Sequence, residues 1–136
     1  MLNRLRKLGV EVSLSWNWLD DFHDVYRRST RSRPLSISSI RCLRDHSILV
    51  SAVRRGRFLG GVLVLRVKDY ALLWLAGWKK QMQISEFLYY SVIEMAGQEG
   101  IGVLDFWASH TQGVRWFKES MGGKPFPYRV FESRKI

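Results

Sequence analysis

The residues best equipped for chemistry lie close together near the C-terminal end, where residues 103–123 read VLDFWASHTQGVRWFKESMGG. Asp105, Ser109, His110, Arg115 and Lys118 supply a carboxylate, a hydroxyl, an imidazole, a guanidinium and an ammonium. A lysine ammonium beside a reacting carbonyl would stabilise an oxyanion as it develops, and could equally hold a phosphate. His110 could deprotonate an attacking amine, because imidazole titrates near neutral pH. Asp105 sits between Leu104 and Phe106 in an apolar run and needs a partner if buried. Lys118 or Arg115 would serve, and the carboxylate would then orient the lysine rather than act as a base. A second group, Trp78, Lys79, Lys80 and Gln83, joins an aromatic face to two cations and suits a phosphate or nucleotide. Each group also has a plain structural reading: a lysine paired with a helix C-terminus, an exposed loop histidine, a solvated loop. His23 and His46 lack companions, and Cys42 with His46 offers two ligands at most, so no metal site is expected. Cys42 is expected in the core.

These residues need a frame, and the hydrophobic pattern supplies one. Residues 103–107 read as a strand, a polar turn with Ser109, His110 and Gln112 follows, and residues 113–121 read as a helix carrying Phe117 and Lys118. Gly122-Gly123 would end that helix. Ligands of α/β sheets commonly bind beyond the carboxyl ends of strands, where this cluster would sit. Upstream, Leu2, Leu5 and Leu8 mark one helix face, with Gly9 after it. Ser15 caps a helix over 16–28 whose inner face is Trp18, Leu19, Phe22, Val25 and Tyr26, with aspartates early and arginines late. After Pro34, Ser36 or Ser38 caps a short helix through Ile40 and Leu43. Residues 48–53, 58–68 and 70–76 then read as three strands of an antiparallel meander, the first two joined by Arg54-Arg55-Gly56-Arg57. Gly60-Gly61 marks a bulge or a close backbone approach. Ile84, Phe87, Leu88, Val92, Met95 and Ala96 stripe a long helix that Gly100 ends, with Tyr89 or Tyr90 placed to face a cleft. Pro125, Tyr128, Val130 and Phe131 form an extended tail. The order is α-α-β-β-β-α-β-α-β, an α/β (α+β) fold with a mixed, mostly antiparallel sheet flanked by helices. Trp18, Trp74 and Trp107 are expected in the core, and Trp16, Trp78 and Trp116 at a pocket or subunit contact.

At 136 residues the chain is expected to form one domain, 1–136, with a core that needs no staples. A single cysteine, no membrane-length apolar run and no signal peptide point to the cytoplasm. The net charge of +10 is uneven: residues 1–66 hold 13 Lys/Arg against 5 Asp/Glu, and the remainder 9 against 7. Such an excess favours RNA or another polyanion, or simply solvates a helix end.

The order of elements resembles that of the GNAT acyltransferase superfamily. The segment LDFWASHTQGVRWFKESMGGKPFPY is similar to the C-terminal part of the Fem-type family, aminoacyl-tRNA-dependent transferases and their acetyltransferase-like relatives. Asp105-Phe106, Gly113-Val114, Phe117-Lys118 and Met121-Gly122 match that pattern, and the resemblance covers roughly residues 15–131. It implies transfer of an acyl or aminoacyl group to an amine, with Lys118 as electrostatic catalyst and Phe117 shaping the pocket. No tightly bound cofactor is implied; the donor would be acyl-CoA or aminoacyl-tRNA, lying along Trp78, Lys79, Lys80 and Gln83. The chain departs from the family in two ways. The (Gln/Arg)-x-x-Gly-x-(Gly/Ala) loop of CoA-using members is reduced to Gly77, which disfavours CoA. There is also one such domain rather than two in tandem, so either a homodimer would complete the cleft or the family's substrate has been lost. Two other functions stay open: a non-enzymatic module that binds RNA through its basic first half, and a dimeric scaffold with a vestigial pocket.

Overall fold

The computed structural model describes residues 2–30, 32–80, 83–107, 112–120 and 122–124. The expected tail, at Pro125, Tyr128, Val130 and Phe131, lies outside them. Gly9, at φ 86°, ends the first helix, α1 (Leu2–Lys7), and turns the chain into a strand that the hydrophobic pattern did not reveal. This strand, β1 (Val10–Ser13), runs antiparallel to β2 (Ser47–Arg54), with Val10 opposite Arg54. Ser15 accepts a hydrogen bond from the Asn17 amide and opens a 3-10 turn, Trp16–Trp18, that runs into α2 (Leu19–Ser29). Ser36 caps α3 (Ile37–Cys42) through the Ser39 amide.

The meander is β2, β3 (Arg57–Val67) and β4 (Tyr70–Trp78); α4 (Ile84–Gln98) crosses over to β5 (Val103–Asp105), and α5 (Gln112–Ser120) follows. The strands lie in the order β1-β2-β3-β4-β5, all antiparallel neighbours except the parallel pair β4 and β5. Alternation along the strands divides the core between the two sheet faces. Leu49, Phe58 and Leu63 pack against Phe22, Tyr26 and Ile40 of α2 and α3. Val50, Val62, Val64 and Leu73 pack against Leu5 of α1 and Phe87, Leu88 and Val92 of α4. An Arg6–Glu94 ion pair at 2.8 Å joins α1 to α4 on that second face.

Both expectations for Gly60-Gly61 are met. Ala52 pairs with Gly60 and Val53 with Phe58, leaving Leu59 as a bulge, and a Cβ on Gly60 would meet Trp78 Cβ at 2.6 Å. Four expectations are corrected. Cys42 is exposed, because it falls on the outer side of the last turn of α3. The last strand stops at Asp105 rather than at residue 107, and Trp107 is 54% exposed rather than core. The fourth is the order of elements, which lacked β1, too short at four residues for period-2 alternation to register. Among the described residues no helix is long and apolar enough to cross a membrane.

Candidate active site

β4 and β5 run side by side only through Tyr70–Val103, Ala71–Leu104 and Leu72–Asp105. There β5 ends, while β4 continues to Trp78. β4 is also bulged at this point: Leu63 pairs with Leu75 and Val64 with Leu73, so Trp74 is extra. A bulge bends its strand and re-aims its side chains. Here it turns Trp74 and Leu75 toward the α2 face and keeps Leu73 and Ala76 on the α4 face. The strands therefore part around a cavity of about 80 Å³, walled by Leu73–Ala76 on one side and Phe106 and Trp107 on the other. Tyr89 of α4 and Lys118 of α5 close it.

Lys118 is buried, at 9% exposure, although it stands on a helix whose other charged residues are exposed. Burial pulls its ammonium below the usual lysine range, and the nearby Asp105 carboxylate partly opposes that shift. Nζ donates to the Trp107 carbonyl at 3.2 Å, and the Trp107 amide donates to Asp105 Oδ1 at 2.8 Å. The Trp107 peptide is thus gripped at both ends, and Trp107 takes a left-handed φ of 67° that a tryptophan adopts only under such constraint. The Tyr70 hydroxyl donates to the other Asp105 oxygen. That hydrogen bond, followed by desolvation and the carboxylate charge, raises the Tyr70 pKa. Tyr89 stands edge-on to both Phe117, at 5.0 Å between centroids, and Phe106, at 5.8 Å. Burial raises its hydroxyl pKa. The arrangement is one cation in an aromatic, low-dielectric wall, where its charge acts more strongly than in water.

The structure brings Lys118, Phe117 and Asp105 together at the gap. It does not bring Arg115 there: that side chain is exposed and bonds Glu119 at 2.9 Å on its own helix. The expected partnership of Arg115 with Asp105 is therefore replaced by Tyr70 and the Trp107 amide. Ser109 and His110 lie outside the described residues. Trp78 is half-buried against the core, while Lys79, Lys80 and Gln83 are exposed beside the start of α4, with Gln83 in its N-cap position. Trp116 is 69% exposed. Trp16 lines a separate hollow of about 470 Å³ with Arg41 and Arg44 at the opening of α2. Among the described residues no three His, Cys, Asp or Glu side chains are grouped to hold a metal. Sequence reasoning missed Tyr70 and the Trp74 bulge, since both depend on strand register. Tyr89 carried a signal, its place beside the apolar stripe of α4.

No protein-family model matches the sequence, and no curated protein matches it. Its fold, however, recurs among solved structures. An aminoglycoside N-acetyltransferase in complex with CoA matches with a TM-score of 0.73 at 11% identity, over 94% of this chain and 96% of that one. The ribosomal-protein-S18-alanine N-acetyltransferase from Escherichia coli matches with a TM-score of 0.68 at 18% identity, over 83% and 76%. A ribosomal-protein-alanine N-acetyltransferase from Brucella melitensis biovar Abortus 2308 gives 0.72 at 11%, over 93% and 99%. At such identities the likeness establishes the fold, and that fold is the GNAT fold.

Proposed function

We propose that this protein is an N-acyltransferase that moves an acyl group from an acyl-CoA thioester to an amine. The observation that carries the reading is the buried Lys118 at the gap where bulged β4 and β5 part. In this reading the thioester carbonyl enters the gap and the amine nitrogen attacks its carbon. The C–N bond forms, the oxyanion develops beside the Lys118 ammonium, and its collapse breaks the C–S bond and releases the thiol. Asp105 is a positioning residue, acting on Lys118 through the Trp107 peptide. Phe117, Tyr89 and Phe106 keep water from the charge. His110 stays the candidate base for the amine proton, on sequence grounds. Trp78, Lys79, Lys80 and Gln83, with the free amides at the start of α4, take the phosphates of the donor.

Acyl-CoA is preferred to aminoacyl-tRNA because an enzyme of this fold is seen in complex with CoA, and also with a bisubstrate analogue built on CoA. The Phe117-Lys118 motif of the Fem-type resemblance supports aminoacyl-tRNA as the second reading. A thermal-shift comparison of acetyl-CoA, CoA and ATP tests the choice. A ligand at a hundred times its dissociation constant stabilises by about 2.7 kcal/mol. Acetyl-CoA and CoA are expected to raise the midpoint and ATP to leave it unchanged; no shift with either acetyl-CoA or CoA would overturn the reading.

A further inference from the structure

The topology gathers a second set of charges at the end of the sheet where β2 turns into β3. Val10 pairs with Arg54, which brings Lys7, just before β1, to that end. Arg54 faces Arg57 across the two-residue turn Arg55-Gly56. β4 finishes alongside, with Trp78 opposite Gly60 and the Lys79 amide donating to the Leu59 carbonyl at 2.8 Å. Lys7, Arg54, Arg55, Arg57, Lys79 and Lys80 thus come from separate segments to one edge. With neighbouring strands about 4.8 Å apart, they form a row roughly 15 Å long from β1 to β4.

Three observations set this row apart from ordinary surface charge. Six arginines elsewhere are ion-paired, Arg6 with Glu94, Arg27 and Arg28 with Asp24, Arg41 with Asp20, Arg66 with Glu99 and Arg115 with Glu119, while Arg4, Arg33 and Arg44, without an ion pair among the described residues, are scattered rather than aligned. Among the described residues no cation of the row makes an ion pair, and Glu11 on β1 is the nearest acid along the backbone. Second, no acceptor among the described residues ties down the Arg54 guanidinium, whose Nε is buried without a hydrogen-bond partner. Third, Arg55 and Gly56 have φ of 50° and 71°, the type I′ geometry that favours Asn or Gly at the first position. An arginine held there is strained, and what the strain secures is an exposed charge at the tip of the hairpin.

A row suits a linear polyanion better than a membrane. Val12, the exposed apolar residue of β1, lies opposite Ala52 and recedes from the turn. Leu8 alone beside the row is exposed and apolar, too little to insert into a bilayer. We propose that this end of the sheet binds the phosphodiester backbone of a nucleic acid, with Lys7, Arg54, Arg55 and Arg57 as phosphate ligands. Lys79 and Lys80 at the end of the row are shared with the donor-phosphate site of the acyl-transfer reading, but the four phosphate ligands named here are not, so the proposal stands or falls without that reading.

The test is fluorescence anisotropy of labelled single-stranded 15-mers, one RNA and one DNA, across a salt series. A combined Lys7→Gln, Arg55→Gln, Arg57→Gln variant is expected to weaken binding about tenfold or more and to flatten the slope of log K against log salt by about 2, at about 0.7 per phosphate contact on a single strand. Binding of RNA alone or of both strands supports the proposal and identifies the source of the backbone. Arg55→Asn provides a second readout, because it suits the turn: its melting midpoint should rise while its affinity falls. Wild-type affinity that is absent or salt-independent, an unchanged slope in the triple variant, or binding confined to phosphatidylserine vesicles would each overturn the proposal.

Discussion

Lys118→Ala is expected to lower kcat for acyl transfer by about 10²-fold or more, the usual cost of deleting a principal oxyanion donor. The donor should still bind, because the phosphate contacts assigned to Lys79, Lys80 and the start of α4 are untouched, so KM should change little. Lys118→Met keeps the volume and removes the charge. It should be as inactive as the alanine variant yet melt within about 3 °C of wild type, which separates a catalytic lysine from a structural one. The pH profile gives a further check. Burial lowers the Lys118 pKa, so its ammonium is lost at a lower pH than that of a surface lysine. The rate should therefore fall on the alkaline side as pH rises through that lowered value, and Lys118→Arg should lack that limb. The same shift bears on stability. The unfolded chain keeps the proton up to the ordinary value of 10.5, so the buried ammonium costs stability at neutral pH, and the cost fades as pH rises from the lowered value toward 10.5. Full activity in both Lys118→Ala and Lys118→Met would remove Lys118 from the mechanism.

Gly77→Ala is expected to destabilise the protein by about 2–3 kcal/mol, a large effect for one methyl group. Gly77 lies on β4 where α2 crosses it, and a Cβ there would stand 2.7 Å from Tyr26 N, 2.8 Å from Tyr26 Cα and 2.9 Å from Val25 C. These are backbone atoms of a helix and cannot swing aside as a side chain could. The strand or the helix must shift, and with it the β4 edge that lines the gap. A fall of about 10 °C in melting midpoint would match that cost in a chain of this size. Gly97→Ala is the contrasting case. It sits in α4 with nothing within 4 Å of a Cβ, and should gain about 0.5–1 kcal/mol from reduced chain entropy. Equal midpoints for the two variants would show that α2 does not press on Gly77.

The helices and the meander were legible because their signals are local. The Phe22 and Tyr26 face of α2, the Phe87, Leu88 and Val92 stripe of α4, and the capping Ser36 all lie where the residue pattern puts them, whereas Ser15 caps a 3-10 turn and α2 begins only at Leu19. Lys118 was legible through its motif, although its burial was not: the residue types flanking it do not say which helix face meets the sheet. What could not be read depends on pairing between distant segments. The Trp74 bulge exists only relative to β3, and Tyr70 reaches Asp105 only because β4 and β5 are in register at Leu72 and Asp105. Trp107 looked like core because it ends an apolar run, yet the strand stops two residues earlier and leaves the ring outside. Gly77 was the reverse case. It looked like the remnant of a phosphate loop, and its evident role is to let α2 approach β4.

The central claim, that the gap between β4 and β5 receives an acyl thioester, is tested most directly by calorimetric titration of acetyl-CoA into wild type and Ala76→Phe. Ala76 lines the gap, and a phenyl ring there would fill it without touching Lys79 or Lys80. Wild type is expected to bind with a dissociation constant in the range of about 1 μM–1 mM, typical of enzyme substrates. Ala76→Phe, folded to the same melting midpoint within a few degrees, should bind acetyl-CoA at least about tenfold more weakly. Failure of the wild type to bind, or equal affinity in the filled variant, would contradict the claim.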